Sequence, residues 1–167
     1  CHIAPHKVNS SLTNEHRLGL MHALISEFPE FELDTFELEQ QGKSYTLNTL
    51  NEFKSRDPDV SLCFAMGADS LLTFDTWYHW QQLLKISHFA IAQRPGFDLQ
   101  QLSHSPTEII SAITTKAEDL TQQDSGKILV LDTPLVDVSS TQIRRNLKKR
   151  ETVSHLVPEK VHQYIKR

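Results

Sequence analysis

Apolar positions recur along this chain in two rhythms, one of helices and one of buried strands. Leu18, Met21, Ile25 and Phe28 stand at helical spacing behind Thr13, whose hydroxyl can accept from the free N–H groups of a helix start, and Pro29 stops the run. Residues 31–38 then predict a strand and residues 40–43 a turn. Ser44 or Thr46 opens a helix with Leu47, Leu50 and Phe53 on one face. Residues 60–66, V-S-L-C-F-A-M, are short and mostly apolar on both faces, which suits a strand buried inside a parallel sheet. That run ends at Gly67, and a helix carrying Trp77, Trp80 and Leu84 on one stripe follows. Residues 88–92 and 127–132 are two more short apolar runs. Between them, S-P-T-E at 105–108 has the form of a capping box with proline at the first helical position, ahead of Ile109, Ile110, Ile113 and Leu120. A helix from about Thr141 and a last one opened by Pro158, with Val161, Tyr164 and Ile165 inward, complete the pattern.

Strands alternating with helices predict an α/β fold with a mainly parallel sheet. No repeat, low-complexity tract or Gly/Ser/Pro-rich linker interrupts the chain, so residues 1–167 read as a single domain. Parallel sheets bind ligands just beyond the carboxyl ends of their strands. The segments to inspect are therefore G-A-D-S at 67–70, Q-R-P-G at 93–96 and residues 133–141.

Composition narrows the function. With 38% hydrophobic and 23% charged residues the chain has the balance of an ordinary globular protein, long enough to bury roughly two-thirds of its unfolded surface. No apolar run nears the ~18 residues that cross a bilayer, and no signal-peptide pattern is seen, so neither a membrane partner nor secretion is expected. A formal charge of −4 argues against a general binder of nucleic acid, which needs clustered positive charge. Two cysteines, Cys1 and Cys63, are too few for a disulfide framework and point to a reducing, cytoplasmic setting. Cys63, inside an apolar strand, is expected in the core. Nine histidines form no H-E-x-x-H and no C-x-x-C accompanies them, so no dedicated metal site is expected. Neither G-x-G-x-x-G, G-x-x-x-x-G-K-[ST] nor G-x-S-x-G occurs, so phosphate must be cradled in another way and no activated serine nucleophile is marked.

The most informative stretch is V-S-S-T-Q-I-R-R at 138–145. Hydroxyl residues stand where a strand-to-loop segment turns into a helix, and Arg144 follows closely. The free N–H groups and dipole of a helix start attract anions, and hydroxyls with a guanidinium add donors for phosphate oxygens. An ordinary cap followed by a solvated basic face is the competing explanation, against which Arg144 stands, because a cation near a helix N-terminus is unfavourable without an anion. Asp69, beyond a strand's end, suits a ribose hydroxyl or a helix cap. Trp77 suits either a stacked heteroaromatic ring or the core, and Trp80 the core. His6 and Lys7 are loop donors of a kind that ordinarily faces water, while Arg94 could reach a phosphate or be an ordinary surface arginine.

Six motifs in order complete the picture: P-H-K at 5–7, S-Y-T-L-N-T-L at 44–50, G-A-D-S-L-L at 67–72, T-W-Y at 76–78, R-P-G at 94–96 and V-S-S-T-Q-I-R at 138–144. From about residue 5 to its end the chain resembles the bacterial nicotinate-nucleotide adenylyltransferases, a family of the nucleotidyltransferase superfamily. The resemblance implies a Rossmann-like fold, its mainly parallel sheet flanked by helices, and transfer of the adenylyl group of ATP to nicotinate mononucleotide with magnesium, giving deamido-NAD and pyrophosphate in NAD biosynthesis. It puts Ser139, Ser140, Thr141 and Arg144 at the ATP phosphates, with His6 and Lys7 near the same triphosphate. Among these, His6, Lys7 and Arg144 would be catalytic. Trp77 would stack on the nicotinate ring, backbone N–H groups of Thr46 and Tyr78 would receive its carboxylate, Asp69 would touch a ribose hydroxyl and Arg94 would lie near the mononucleotide phosphate. Magnesium would be held by phosphate oxygens and water. The partners implied are ATP and nicotinate mononucleotide, with room for a homo-oligomer.

The family's opening strand, its G-G-[ST]-F-D-P loop and its [HT]-x-G-H motif are not among these residues. With Cys1 in first place, this leads to the expectation of an upstream segment. Two other readings stay in view: a sibling enzyme with nicotinamide mononucleotide or phosphopantetheine as acceptor, and a non-catalytic nucleotide-binding module. The S-Y-T and T-W-Y segments, which resemble the nicotinate pocket, argue against the sibling.

Overall fold

The computed structural model describes residues 12–40, 42–136 and 138–166. His6 and Lys7 lie outside the described residues. The chain parts into two compact units, Tyr45–Asp137 and, from its two ends, Cys1–Ser44 with Val138–Arg167.

The central unit is built on a sheet. Its strands β1 (Cys63–Gly67), β2 (His88–Ala92), β3 (Ile113–Thr114) and β4 (Ile128–Val130) stand in the order β1-β2-β4-β3, every pair parallel. The expected mainly parallel α/β architecture is thus present. Parallel strands place all their carboxyl ends along one edge. The helices of this unit are α3 (Thr46–Arg56), α4 (Ala68–Leu71), α5 (Trp80–Ile86) and α6 (Thr107–Ala112). Leu47 and Leu50 of α3 and Leu83 of α5 join Phe74, Phe89, Ile91 and Ile128 in the core. Full burial of a residue such as Phe74 or Phe89 contributes about 2–3 kcal/mol.

Loop 122–127 buttresses the amino edge of the sheet. Buried His88 accepts from Lys127 N–H at Nδ1 (3.1 Å), so its Nε2–H donates to the Gln123 carbonyl (2.9 Å). Gly126 N–H bonds the Ser87 carbonyl, and the Ser61 and Ser125 hydroxyls donate to the Asp124 and Lys85 carbonyls.

Two helices of the terminal unit pair across the length of the chain. Thr13 caps α1 (Asn14–Ile25) as expected, accepting from His16 N–H, though the helix stops at Ile25, four residues short of Pro29. Gly19 lies under the ring of Tyr164 on α8 (Glu159–Ile165), so close that a Cβ there would run into the ring. Pro158 caps α8 without a side-chain bond, and the Glu27 carboxylate instead accepts from Lys160 N–H at 2.7 Å. His162 is buried, while Val161, Tyr164 and Ile165 are half-buried.

Four expectations are corrected. Residues 31–38 contain no strand: Asp34 accepts from Phe36 N–H and Thr35 bonds Glu39, which winds α2 (Phe36–Glu39) locally. Trp77 and Trp80 do not share a helix, because a 3-10 turn at Phe74–Thr76 ends at Trp77 and α5 begins only at Trp80, after His79 in the left-handed region (φ +50°). The capping box falls at Asp98 and Gln101 instead of at 105–108, where Pro106 stands outside α6 as its cap. Finally, α6 ends at Ala112 because Ile113 and Thr114 pair with Ile128 and Leu129.

Candidate active site

The β1–β2 register aligns Gly67 with Ala92. Two residues further along each strand come Asp69 and Arg94, whose Oδ1 and Nε lie 3.8 Å apart. Both side chains are more than half exposed, Asp69 at 66% and Arg94 at 56%, so the pair is open to an incoming ligand. Gly67 makes room for this arrangement: a Cβ on it would sit 2.6 Å from Asp69 Oδ1. Arg94 is presented by a tight turn in which Phe97 N–H bonds the Arg94 carbonyl, with Pro95 and Gly96 (φ +85°) at the inner positions. That is the type II pattern, which wants proline followed by a residue free to take positive φ. Gln93 ties the turn to the end of β4 by donating to the Leu131 carbonyl at 3.0 Å.

Close by in the same unit, Trp77 is half-buried against Phe64 (6.2 Å between centroids, T-shaped) and Phe74 (5.5 Å). The two interpretations of this tryptophan merge, since part of it is core and part is open. Next to it, Tyr78 is 49% exposed and its ring packs on Tyr45 at 4.5 Å. Tyr45 is the N-cap residue of α3 and makes no side-chain cap bond. Among the described residues neither Thr46 N–H nor Tyr78 N–H donates to a protein acceptor. The structure thus brings the S-Y-T and T-W-Y segments side by side through Tyr45, a residue that sequence reasoning passed over.

In the terminal unit, α7 (Ser140–Lys148) starts where a helix was expected. Ser139 Oγ accepts from Gln142 N–H (3.1 Å), which leaves the hydroxyl proton for another acceptor. Arg144 is the fifth helical residue, yet its Nη2 reaches back to Ser140 Oγ at 3.0 Å, so the cation sits at the helix start. Ser140, Thr141 and Arg144 are exposed. Hydroxyls, first-turn N–H groups and a guanidinium converge here, and no acidic residue occupies the first turn to satisfy them.

Cys63 corrects the expectation of a core thiol. It is exposed, because β1 is an edge strand among the described residues and Cys63 and Ala65 alternate outward while Phe64 and Met66 turn inward. The sulfur is still partly enclosed, and that desolvation raises the thiol above its ordinary value. Among the described residues no three His, Cys, Asp or Glu side chains gather as a metal site, and no helix is long and apolar enough to cross a membrane.

A parallel sheet with open polar groups at its carboxyl edge, together with a hydroxyl-rich helix start, defines a nucleotide-handling α/β protein. The cytidylyltransferase-like family model matches residues 1–146. The chain is 35% identical over 164 residues to a probable nicotinate-nucleotide adenylyltransferase of Shewanella woodyi and 36% identical over 165 residues to one of Escherichia coli, covering 98% of this chain and 78% of each relative. A solved Plasmodium falciparum nicotinic acid mononucleotide adenylyltransferase, complexed with NaAD, superposes with a TM-score of 0.67 at 18% identity over 99% of this chain and 76% of its own. The chain belongs to the cytidylyltransferase-like family and, within it, to the nicotinate-nucleotide adenylyltransferases.

Proposed function

We infer that this protein transfers the adenylyl group of ATP to nicotinate mononucleotide, releasing pyrophosphate and forming deamido-NAD. The start of α7 carries the reading: three hydroxyl residues and Arg144 offer donors to phosphate oxygens, and the first turn of the helix holds no acidic residue to take them. In the reaction a phosphate oxygen of the mononucleotide attacks the α-phosphorus of ATP. One P–O bond forms as the bond to the departing pyrophosphate breaks. The substrate supplies its own nucleophile, so the protein needs no activated serine or cysteine. Alignment of the two nucleotides can lower the barrier by up to roughly 7–11 kcal/mol. Donors aimed at the α-phosphate and the pyrophosphate stabilise the charge that grows there.

Ser139, Ser140, Thr141 and Arg144 take the triphosphate in this reading, joined by His6 and Lys7. Arg144 meets the pyrophosphate charge. Trp77 offers its open face to the nicotinate ring, a stack worth about 1–3 kcal/mol. Thr46 and Tyr78 N–H receive the carboxylate, Asp69 a ribose hydroxyl, and Arg94 the mononucleotide phosphate. The donor set fits a magnesium ion that travels on the triphosphate, since the hydroxyls and the guanidinium address phosphate oxygens and not a bare cation. Such an ion neutralises phosphate charge when bound. A cytoplasmic location accords with ATP as substrate.

Pyrophosphate release by the full-length protein, with ATP, magnesium and either nicotinate or nicotinamide mononucleotide, tests the reading. Release that depends on the acid form is expected. Release with the amide form alone would move the acceptor to the sibling enzyme's, and no release from folded protein would leave a nucleotide-binding module.

A further inference from the structure

Resting on that reading, the geometry points to Tyr45 as the positioning residue that sets the choice of the acid over the amide form of the mononucleotide, through its ring stack on Tyr78. A carboxylate presents two acceptor oxygens. A carboxamide presents one oxygen and an NH₂ group, which would meet a protein N–H donor to donor. Two N–H groups directed at one such group therefore suit the acid and not the amide, but only while their separation is held. Thr46 N–H and Tyr78 N–H are free of protein acceptors among the described residues.

They come from elements of unequal firmness. Thr46 opens α3, anchored in the core by Leu47 and Leu50. Tyr78 follows the 3-10 turn at Phe74–Thr76, is half exposed, and precedes His79 in the left-handed conformation that a side-chain-bearing residue rarely takes. The tie between the two is the Tyr45–Tyr78 stack, with centroids 4.5 Å apart and planes inclined at 36°. His79 closes on the Tyr78 ring edge-on at 4.1 Å. The Tyr45 ring needs no hydroxyl for this duty, and it touches neither nucleotide in the roles assigned above.

The test compares Tyr45→Leu, which keeps apolar bulk without the ring, with Tyr45→Phe, which keeps the ring without the hydroxyl. Tyr45→Leu is expected to lower the acid-over-amide ratio of kcat/KM by about three- to tenfold, the worth of one aromatic pair, chiefly by raising KM for nicotinate mononucleotide. KM for ATP should stay put, and Tyr45→Phe should behave as the unaltered protein. The inference is overturned by an unchanged ratio in Tyr45→Leu, by equal damage in Tyr45→Phe, or by loss of cooperative unfolding in Tyr45→Leu, which would make the stack a contact of the fold. Absence of any acid-dependent release from the unaltered protein would instead remove the functional reading itself.

Discussion

Asp69 and Arg94 show how little a visible ion pair contributes when both partners face water. At 3.8 Å with more than half of each side chain exposed, their attraction is of the order that salt and solvent screen away. In the proposed function their worth would lie in being free to turn toward a substrate. Gly67→Ala tests this, because its Cβ would displace only the far end of the Asp69 side chain, which can swing. The variant should melt within about 1 kcal/mol of the unaltered protein, while KM for nicotinate mononucleotide rises. An unchanged KM would show that the Asp69 orientation is irrelevant to binding. Cys63 supplies a pH-dependent outcome. Partial burial raises its thiol, so at neutral pH less thiolate is present than in a free cysteine, and maleimide labelling at this position, followed by peptide mass, should be slower than glutathione labelling and accelerate as pH rises. The strand ends and the start of α7 were legible in the sequence as places because turn and cap chemistry is local, while the roles proposed for their residues come from the resemblance. The exposure of Cys63 was not, because burial depends on what stands beside a strand.

Elements divide along the same line. The helices α1 and α7 were legible because caps and spacing agree, with Thr13 and Ser139 each accepting from a backbone N–H in the first turn. β3 was hidden because two residues carry no periodicity, and only pairing with β4 makes Ile113 and Thr114 a strand. Trp77 and Trp80 imitate a helical stripe although a turn separates them. The far end of α7 carries a feature that sequence spacing does not signal. Arg150 takes φ +60°, its N–H bonds the Leu147 carbonyl, and Glu151 N–H bonds the Asn146 carbonyl, the double closure usually completed by glycine. Arg150→Gly relieves the left-handed strain and should raise stability by about 0.5–1 kcal/mol in denaturant titration. A loss of stability would mean that the arginine side chain holds something the backbone does not reveal.

At the scale of the molecule, the net charge of −4 coexists with an exposed cluster of Arg144, Arg145, Lys148 and Arg150 on and just after α7. A local anion site can thus exist in a chain that repels polyanions overall. Binding to the folded form alone adds about 2.7 kcal/mol at a hundredfold excess over Kd. For a chain of this size that is a rise of roughly 5–10 °C in Tm. Differential scanning fluorimetry with saturating magnesium-ATP should show a shift of this order, and Arg144→Ala should shrink it by half or more without altering the ligand-free Tm. Equal shifts in both proteins would return Arg144 to the role of a solvated helix residue.

The contact of Gly19 with Tyr164 also orders events in time. A ribosome adding about 5–20 residues each second separates the emergence of these two by roughly 7–30 s. The stretch Tyr45–Asp137 holds the four described strands and can pair them during that interval, whereas the face of α1 around Gly19 waits for Tyr164 of α8. A nascent chain arrested before Glu159 therefore carries its four described strands already paired and a first helix still without its mate.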